Sequence, residues 1–473
     1  MMNSRQRTMT EPHRTVVSLF SGAMGFDLGL EAAGLDVRVV VEFDPACCAT
    51  IRNNLPETPV LERDIRGLST KDILEAGRLK LGEVFCVVGG PPCQSFSTGG
   101  KRGSITDPRG SLFMDYLRVI REARPSYFVF ENVANIVTAP IRHRPIDQRP
   151  GKNWNLSAYS KNKNGGRRID DDDEAEPLQP DEMSGAAVAV ILEEFEQLGY
   201  HLTYGILNSA DFGVAQRRLR FVMIGSRVTT SIELPRPTHS QEGKPPLHRW
   251  RSLRDVLAGL QDVTPMHSNY TPDFRRYFSL IPPGGNWRDL PEDLQKQALG
   301  EAAYAAGGGK TGFFRRLSWD EPTPTIVGKP NRKSSAICHP VEIRPLTVRE
   351  CARVQGFPDG WCFSGAMHTQ YLQIGNAVPV GLGKVVGEAI ILAENARLTA
   401  GGEVPNERDL VAWRESKDSM TEQAQRKLRS YARNRIAFNE DRRLDLLTSR
   451  PSLDLLSSAE SSTSRTDPSG DAP

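Results

Sequence analysis

Apolar and polar positions follow two rhythms along the first half of this chain. Short runs of branched and aromatic residues have the length and composition of buried strands: "TVVSLF" from Thr15, "DVRVVVEFD" from Asp36, "VFCVVGG" from Val84 and "YFVFENV" from Tyr127. Between them, "FDLGLEAAG" (closed by Gly34), "ACCATIRNN" and "SLFMDYLRVIREARP" repeat their apolar residues at helical spacing. Strand and helix in alternation predict an α/β fold, a doubly wound and mostly parallel sheet. The helix "AAVAVILEEFEQLGY" and a hairpin-like pair, "HLTYGILNSA" and "RLRFVMIGSR", extend it to about residue 228.

Other segments break the rhythm. Residues 1–14 form a flexible lead into a main domain over 15–235. Within that domain, 141–184 are polar and carry the run Asp170 to Glu174, so they predict a flexible insertion. Residues 236–345 are rich in Pro, Gly and aromatics without βα alternation, which predicts a smaller irregular domain. Residues 399–473 begin charged and end in "SSAESSTSRTDPSGDAP", the composition of a disordered tail.

Composition narrows the chemistry. The net charge is only +2, so charge balance alone announces no polyanion, and any such contact must come from local clustering. The chain shows no apolar run near membrane-spanning length and no signal-peptide core, which predicts a cytoplasmic protein. Its seven cysteines include no CxxC pair and do not cluster with the eight histidines, so no metal site is expected. An odd count in a cytosolic chain points to reduced thiols, one of which could be a nucleophile.

The first strand runs into "SGAMGF", a glycine turn that brings backbone close to a ligand at the carboxyl end of a parallel strand. Its spacing is not the GxGxxG of dinucleotide sites, which argues against a nicotinamide oxidoreductase. Alone, the turn reads equally as an ordinary βα connection. The acids sharpen it. Glu42 ends the second strand, where a carboxylate can accept ribose hydroxyls; Asp64 follows the third and could accept a purine amino group. Phe20 and Phe43 offer stacking faces. Ribose and adenine without a phosphate cradle point to S-adenosylmethionine.

The stretch "GGPPCQSFSTGGKRG" is a shaped loop, since proline removes backbone donors and glycine supplies conformations other residues avoid. With "LFSGAMGFDLGLEAAG", "FVFENV", "LNSADFGVAQRRLRFVMIG", "RPLTVRECARVQGFPD" and "YLQIGNAVPVGLG", in this order, it resembles the DNA cytosine-5 methyltransferases of the bacterial modification type. The likeness covers about residues 15–138, 186–228 and 343–395, so residues 346–398 are expected to return to the catalytic domain. One departure is Met24, where the fullest family motif has another glycine.

The resemblance implies that Cys93 adds to C6 of a flipped-out cytosine, making C5 nucleophilic toward a sulfonium methyl group. A strand-end carboxyl at Glu131 could reach the same pocket, share a proton with cytosine N3 and offset the charge that addition creates. In "QRRLR", strand alternation points Gln216, Arg218 and Arg220 to one face, and the resemblance assigns Arg218 and Arg220 to contacts around the base, Arg220 at O2. It also places Gly22, Gly25, Ile65, Pro91 and Asn376 at the cofactor. Gln94, Ser95, Lys101 and Arg102 on the cysteine loop are the expected DNA contacts there.

Residues 236–345 resemble the family's variable target-recognition domain. Their last third is basic, with Lys310, Arg315, Arg316, Lys329, Arg332, Lys333 and Arg344 against Asp320, Glu321 and Glu342. Arg315, Arg316, Arg332 and Lys333 are candidate DNA contacts, although each taken singly reads equally as a solvated charge. The expectation is a monomeric enzyme on double-stranded DNA, cytoplasmic and nucleoid-associated, with no membrane partner, functionally paired with a restriction endonuclease or acting alone. An RNA cytosine-5 methyltransferase and a catalytically silent DNA-binding regulator are the alternatives. The large 236–345 domain favours duplex DNA over the first, and the intact chemical residues argue against the second.

Overall fold

A computed structural model describes residues 14–92, 111–142, 179–183, 185–301, 304 and 313–405. The elements run β1 Thr15–Leu19, α1 Gly25–Ala32, β2 Asp36–Glu42, α2 Pro45–Asn54, β3 Val60–Glu62, α3 Thr70–Ala76, β4 Cys86–Gly89, α4 Ser111–Ala123, β5 Tyr127–Val133, α5 Ala186–Gln197, β6 His201–Asn208, β7 Gln216–Arg217 and β8 Leu219–Ser226. Seven of these strands make one sheet in the order β3-β2-β1-β4-β5-β8-β6. Only β8 runs antiparallel, pairing β5 on one side and β6 on the other. The expected strands and the hairpin-like pair are all present.

Alternation along the strands builds two apolar layers. Val17, Leu19, Val39 and Val41 face α3, α4 and α5, while Val16, Val40 and Val88 face the opposite layer with α1. That second layer is completed from far along the chain by α9 Val348–Val354, α10 Met367–Asn376 and α11 Val380–Thr399. Buried residues from Leu346 to Ala393 thus pack in this layer, and α11 lies along α1. Residues 367–399 also hold a window apolar enough for a membrane span, contrary to the composition reading. The segment is broken at Ala377–Pro379, and buried residues of α11 pack into the α1 layer.

The α1–α11 contact is backbone to backbone. A Cβ on Gly29 would collide with the Val380 carbonyl, and one on Gly383 with the Phe26 carbonyl. Neither obstacle is a flexible side-chain tip, so the helices must part to admit even a methyl group. Gly383→Ala is expected to cost about 1–3 kcal/mol or more by overpacking, read as a lower midpoint in urea at unchanged slope.

Between β8 and α9 lies the irregular part, with α6 Leu253–Leu257, α7 Pro272–Leu280 and α8 Glu292–Leu299. Tyr270, Phe278, Trp287, Leu294, Phe314 and Cys338 belong to a separate small core. Leu253, Leu317, Ile326 and Ile337 instead join the sheet's second layer, so the region is rooted in the main body. At the polar insertion, Ile141 is buried, and Arg142 forms ion pairs with Asp181 and Glu182. The ends expected to be flexible are thus packed together, because an apolar side chain and a buried acid anchor them. Residues 143–178, like 1–13 and 406–473, lie outside the described residues.

Candidate active site

The strand order reverses between β1 and β4, and in open α/β sheets the crevice at the carboxyl ends beside such a reversal is where ligands bind. The candidate residues gather along this edge. Leu19 pairs with both Val41 and Gly89, Gly89 with Phe130, and Val133 with Arg220. The glycine turn, Glu42, Gly90, Glu131 and Arg220 therefore follow one another across the sheet.

The turn after β1 alternates left-handed residues: Phe20 at φ 58°, Gly22 at 55° and Met24 at 66°. The Met24 departure thus falls where glycine is the unstrained choice, at a cost of about 1–2 kcal/mol. Its side chain is fully buried, which compensates. Glu42 fixes the turn: Oε2 accepts from Gly22 N–H at 2.7 Å, and Oε1 from Phe43 and Asp44 N–H at 2.7 and 2.8 Å. Three of roughly four lone-pair directions are filled, so two ribose hydroxyls would have to share what remains. Phe43 is 70% exposed beside it, and a Cβ on Gly22 would meet nothing within 4 Å. An open turn, a fixed carboxylate and a free aromatic face fit a nucleoside.

Asp64 caps a short 3-10 turn and accepts from Arg66, both backbone and guanidinium. These bonds hold its carboxyl below the usual range. Ile65 is buried in the first apolar layer. Gly25 has no room for a Cβ beside the Val378 carbonyl, so the late segment sits directly on the turn. Asn376 ends α10 with its side chain exposed.

Pro91 and Pro92 lead toward Cys93 from the tip of β4. A Cβ on Gly90 would lie 2.7 Å from Glu131 Oε2, so any larger residue here would push the carboxylate aside. Asn132 Nδ2 donates to Pro91 O at 3.3 Å, tying the tip of β5 to the same entry. Cys93, Gln94, Ser95, Lys101 and Arg102 lie outside the described residues. Cys47, Cys48, Cys86, Cys338 and Cys351 are buried, and burial pushes their thiols up, Cys48 to about 12. Those thiols suit packing, not nucleophilic attack.

Glu131 and Arg220 form an ion pair at 2.8 Å, each side chain only 13% exposed. Burial raises the Glu131 carboxyl above its ordinary range, against the opposing pull of Arg220 and Arg218. A carboxyl so placed holds its proton to higher pH than a free one and can donate it.

Arg218 departs from expectation. It is 2% exposed, with Nη1 donating to Ile326 O at 3.1 Å and Nη2 to Gly375 O at 2.9 Å. Gln216 likewise turns to Ile326 and Gln355. The chain breaks its strand pairing at Arg218, between β7 and β8, so Gln216 and Arg218 turn to Ile326 while Arg220 pairs with Glu131. Two basic residues of the irregular region are also internal. Arg316 donates to the carbonyls of Ile281, Pro340 and Val341, and Arg344 forks onto Glu350 at 2.8 and 3.0 Å. Arg316 is therefore a strut, not the DNA contact expected, because the small core needs its carbonyls satisfied. Arg315 is half-buried in a short strand; Arg332 is exposed; Lys333 is partly buried, its Nζ near Gly300 at the end of α8.

Asp27 and Gln355 carry no role in the sequence motifs yet are buried beside the site. Asp27 is buried under the glycine turn, where loss of solvent pushes its carboxyl up to about 6. An acid in the apolar face of "FDLGLEAAG" was the available signal. Nothing local marks Gln355.

A family model, C-5 cytosine-specific DNA methylase, matches residues 14–144 and 180–392, breaking across the polar insertion. The type II methyltransferase M.Sau96I of Staphylococcus aureus is 36% identical over 383 residues, covering 80% of this chain and 75% of that protein. M.Eco47II of Escherichia coli is 34% identical over 390 residues, covering 80% and 78%. The solved structure of the S. pombe Dnmt2 methyltransferase aligns at a TM-score of 0.48 and 17% identity, covering 81% of this chain and 98% of that one. With the family model and the two relatives spanning the sheet, the glycine turn and the return helices alike, the chain belongs to the C-5 cytosine-specific DNA methylases and is a DNA cytosine-5 methyltransferase.

Proposed function

We propose that Cys93, Glu131 and Arg220 carry the reaction at a flipped-out cytosine in a specific duplex site, with S-adenosylmethionine as methyl donor. The observation that carries this reading is the close approach of Gly90 to Glu131, which brings the entry of the cysteine loop beside a carboxyl whose pKa burial raises. The Cys93 thiolate adds to C6, and the electron pair displaced from the C5–C6 bond makes C5 nucleophilic. Glu131 donates a hydrogen bond to N3, and Arg220 holds Glu131 and reaches O2. When bound, the cofactor supplies an electrophilic methyl group. Loss of the C5 proton then expels the Cys93 thiolate and restores the aromatic ring.

Glu42, Phe43 and the Phe20–Gly25 turn would hold the nucleoside, with Asp64, Ile65, Pro91 and Asn376 around it. Arg332 and Lys333, with Gln94, Ser95, Lys101 and Arg102, would meet DNA, and the 236–345 region would read the site. The relatives' names as type II methyltransferases support a role in restriction–modification. Bisulfite sequencing of DNA from cells expressing the protein tests this directly: methylation at C5 within one short motif is expected. Labelled methyl incorporated into a bulk tRNA pool but not into plasmid would overturn it.

Cofactor binding separates from chemistry. Glu42→Ala removes both a ribose acceptor and the anchor of the Gly22 N–H, and should weaken S-adenosylmethionine binding by about 1–3 kcal/mol. Gly22→Ala should weaken it as well: its Cβ would meet no neighbour within 4 Å, but the left-handed φ of 55° adds about 1–2 kcal/mol of backbone strain to the turn. Calorimetry with the cofactor checks both; unchanged affinities would move the nucleoside elsewhere.

A further inference from the structure

Three buried polar side chains outside the reacting set are joined into one network. Gln216 and Arg218 bracket Ile326 as a neighbouring strand would: Gln216 Oε1 accepts from Ile326 N–H at 3.0 Å, and Arg218 Nη1 donates to its carbonyl at 3.1 Å. Thr323 and Pro324 pair with Gln216 and Arg217 immediately before this point. Gln216 Nε2 donates to Gln355 Oε1 at 2.9 Å, and Gln355 Nε2 donates to Ile374 O at 2.6 Å. Arg218 Nη2 reaches Gly375 O at 2.9 Å. Gly375 has no Cβ because the backbone of Val327 and Gly328 crosses it.

The network thus clasps three stretches distant in sequence. One is β7 and β8, which carry Arg220 and so face Glu131. The second is Thr323–Gly328, which continues into a turn with Lys329, Asn331 and Arg332 exposed, closed by Ser335 Oγ on Lys329 O at 2.5 Å. The third is the end of α10, whose next residues press on Gly25. A guanidinium buried among carbonyls is costly to hold there, and apolar packing would often serve stability as well or better. What apolar packing lacks is direction. Forked donors and an amide pair admit one relative placement of three backbones, to a few tenths of an ångström.

We propose that Gln216, Arg218 and Gln355 form a positioning junction that fixes the Arg220–Glu131 pair relative to the segment entering the basic turn 329–335. Seating that turn on DNA and aligning the pair at the base then follow from one rigid unit. Arg218 is a positioning residue and does not touch the base. The inference rests on the assignment of Glu131 and Arg220 to the cytosine.

The test uses the full-length enzyme with Gln216→Met, Gln355→Met and Arg218→Lys, which change no net charge, and Gly383→Ala as a remote destabilised control. Each is measured for melting temperature, kcat and KM on a duplex containing the methylated motif, and kcat against pH. The expected result is a kcat loss of about tenfold to a hundredfold in all three, with cofactor KM changed less than about twofold. The alkaline fall of the pH profile should also move upward, because a loosened Arg220 no longer opposes protonation of Glu131. Gly383→Ala should lower the melting temperature without moving that limb. Combining Gln216→Met with Arg218→Lys should cost no more than the worse single change.

Junction variants with wild-type kcat and an unmoved limb would overturn the proposal, as would a large loss in Arg218→Lys alone, which would make it a base contact. Arg218→Lys keeps the charge and can keep one carbonyl bond, so it serves if the methionine variants do not fold. Failure of the underlying assignment looks different: Glu131→Gln would then retain both wild-type kcat and the alkaline limb.

Discussion

Replacing Cys93 by alanine is expected to reduce methyl transfer to background while leaving cofactor affinity within about twofold of wild type. The thiol acts only on the base, through a covalent step, and among the described residues burial pushes the thiols of Cys47, Cys86 and Cys351 toward the protonated form. A duplex bearing 5-fluorocytosine at the target should trap the wild-type chain, because fluorine at C5 blocks the elimination that frees the thiolate. The Ala variant should form no such complex although it still binds the duplex. Turnover near wild type in the variant, or trapping without Cys93, would place the nucleophile elsewhere.

Loss of Glu131 should have the next largest effect. Glu131→Ala is expected to lower kcat by about 10²–10⁴-fold, the range of a positioned general acid. Glu131→Gln should retain more activity, since its amide still donates a hydrogen bond toward N3, yet it cannot release a proton. The sign of the pH dependence follows from burial. The carboxyl's folded value lies above its unfolded one, so the protonated donor is present at lower pH and is lost as pH rises through the folded value. The same linkage makes Glu131 a source of stability at low pH that fades over that interval. Thiolate formation at Cys93 runs the opposite way, so kcat should be bell-shaped in the wild type. In Glu131→Gln the falling limb should disappear. A falling limb that persists in Glu131→Gln would assign it to another acid.

Much of this architecture was legible before any coordinates. The strand runs at Thr15, Asp36, Cys86 and Tyr127 form the sheet as their length and composition predict; Glu42 ends β2, while Glu131 lies two residues before the end of β5. The helix Thr70–Ala76 was missed, although Ser69 and Asp72 form a capping box that announces it. Its short length left too few apolar positions for periodicity to reveal. The basic residues were the least legible. Arg332 and Arg316 have the same side chain in the same kind of sequence, yet one is exposed and the other is tied to several carbonyls. Which carbonyls need a donor is settled by how the chain folds back, and no local pattern records it.

The sequence by itself determined the layer pattern, the chemistry and the family, because periodicity and residue type act over a few neighbours. Only the tertiary structure decided that Gly29 and Gly383 exist to let two helices touch. It alone decided that Arg218 is a clasp while Arg220, two positions on, is paired at the active edge. Gln216 meets Gln355 across 139 residues and Arg218 meets Gly375 across 157. At such separations the partner is chosen by packing of the whole sheet and its return helices, since a buried donor must find whichever acceptor the fold brings to it.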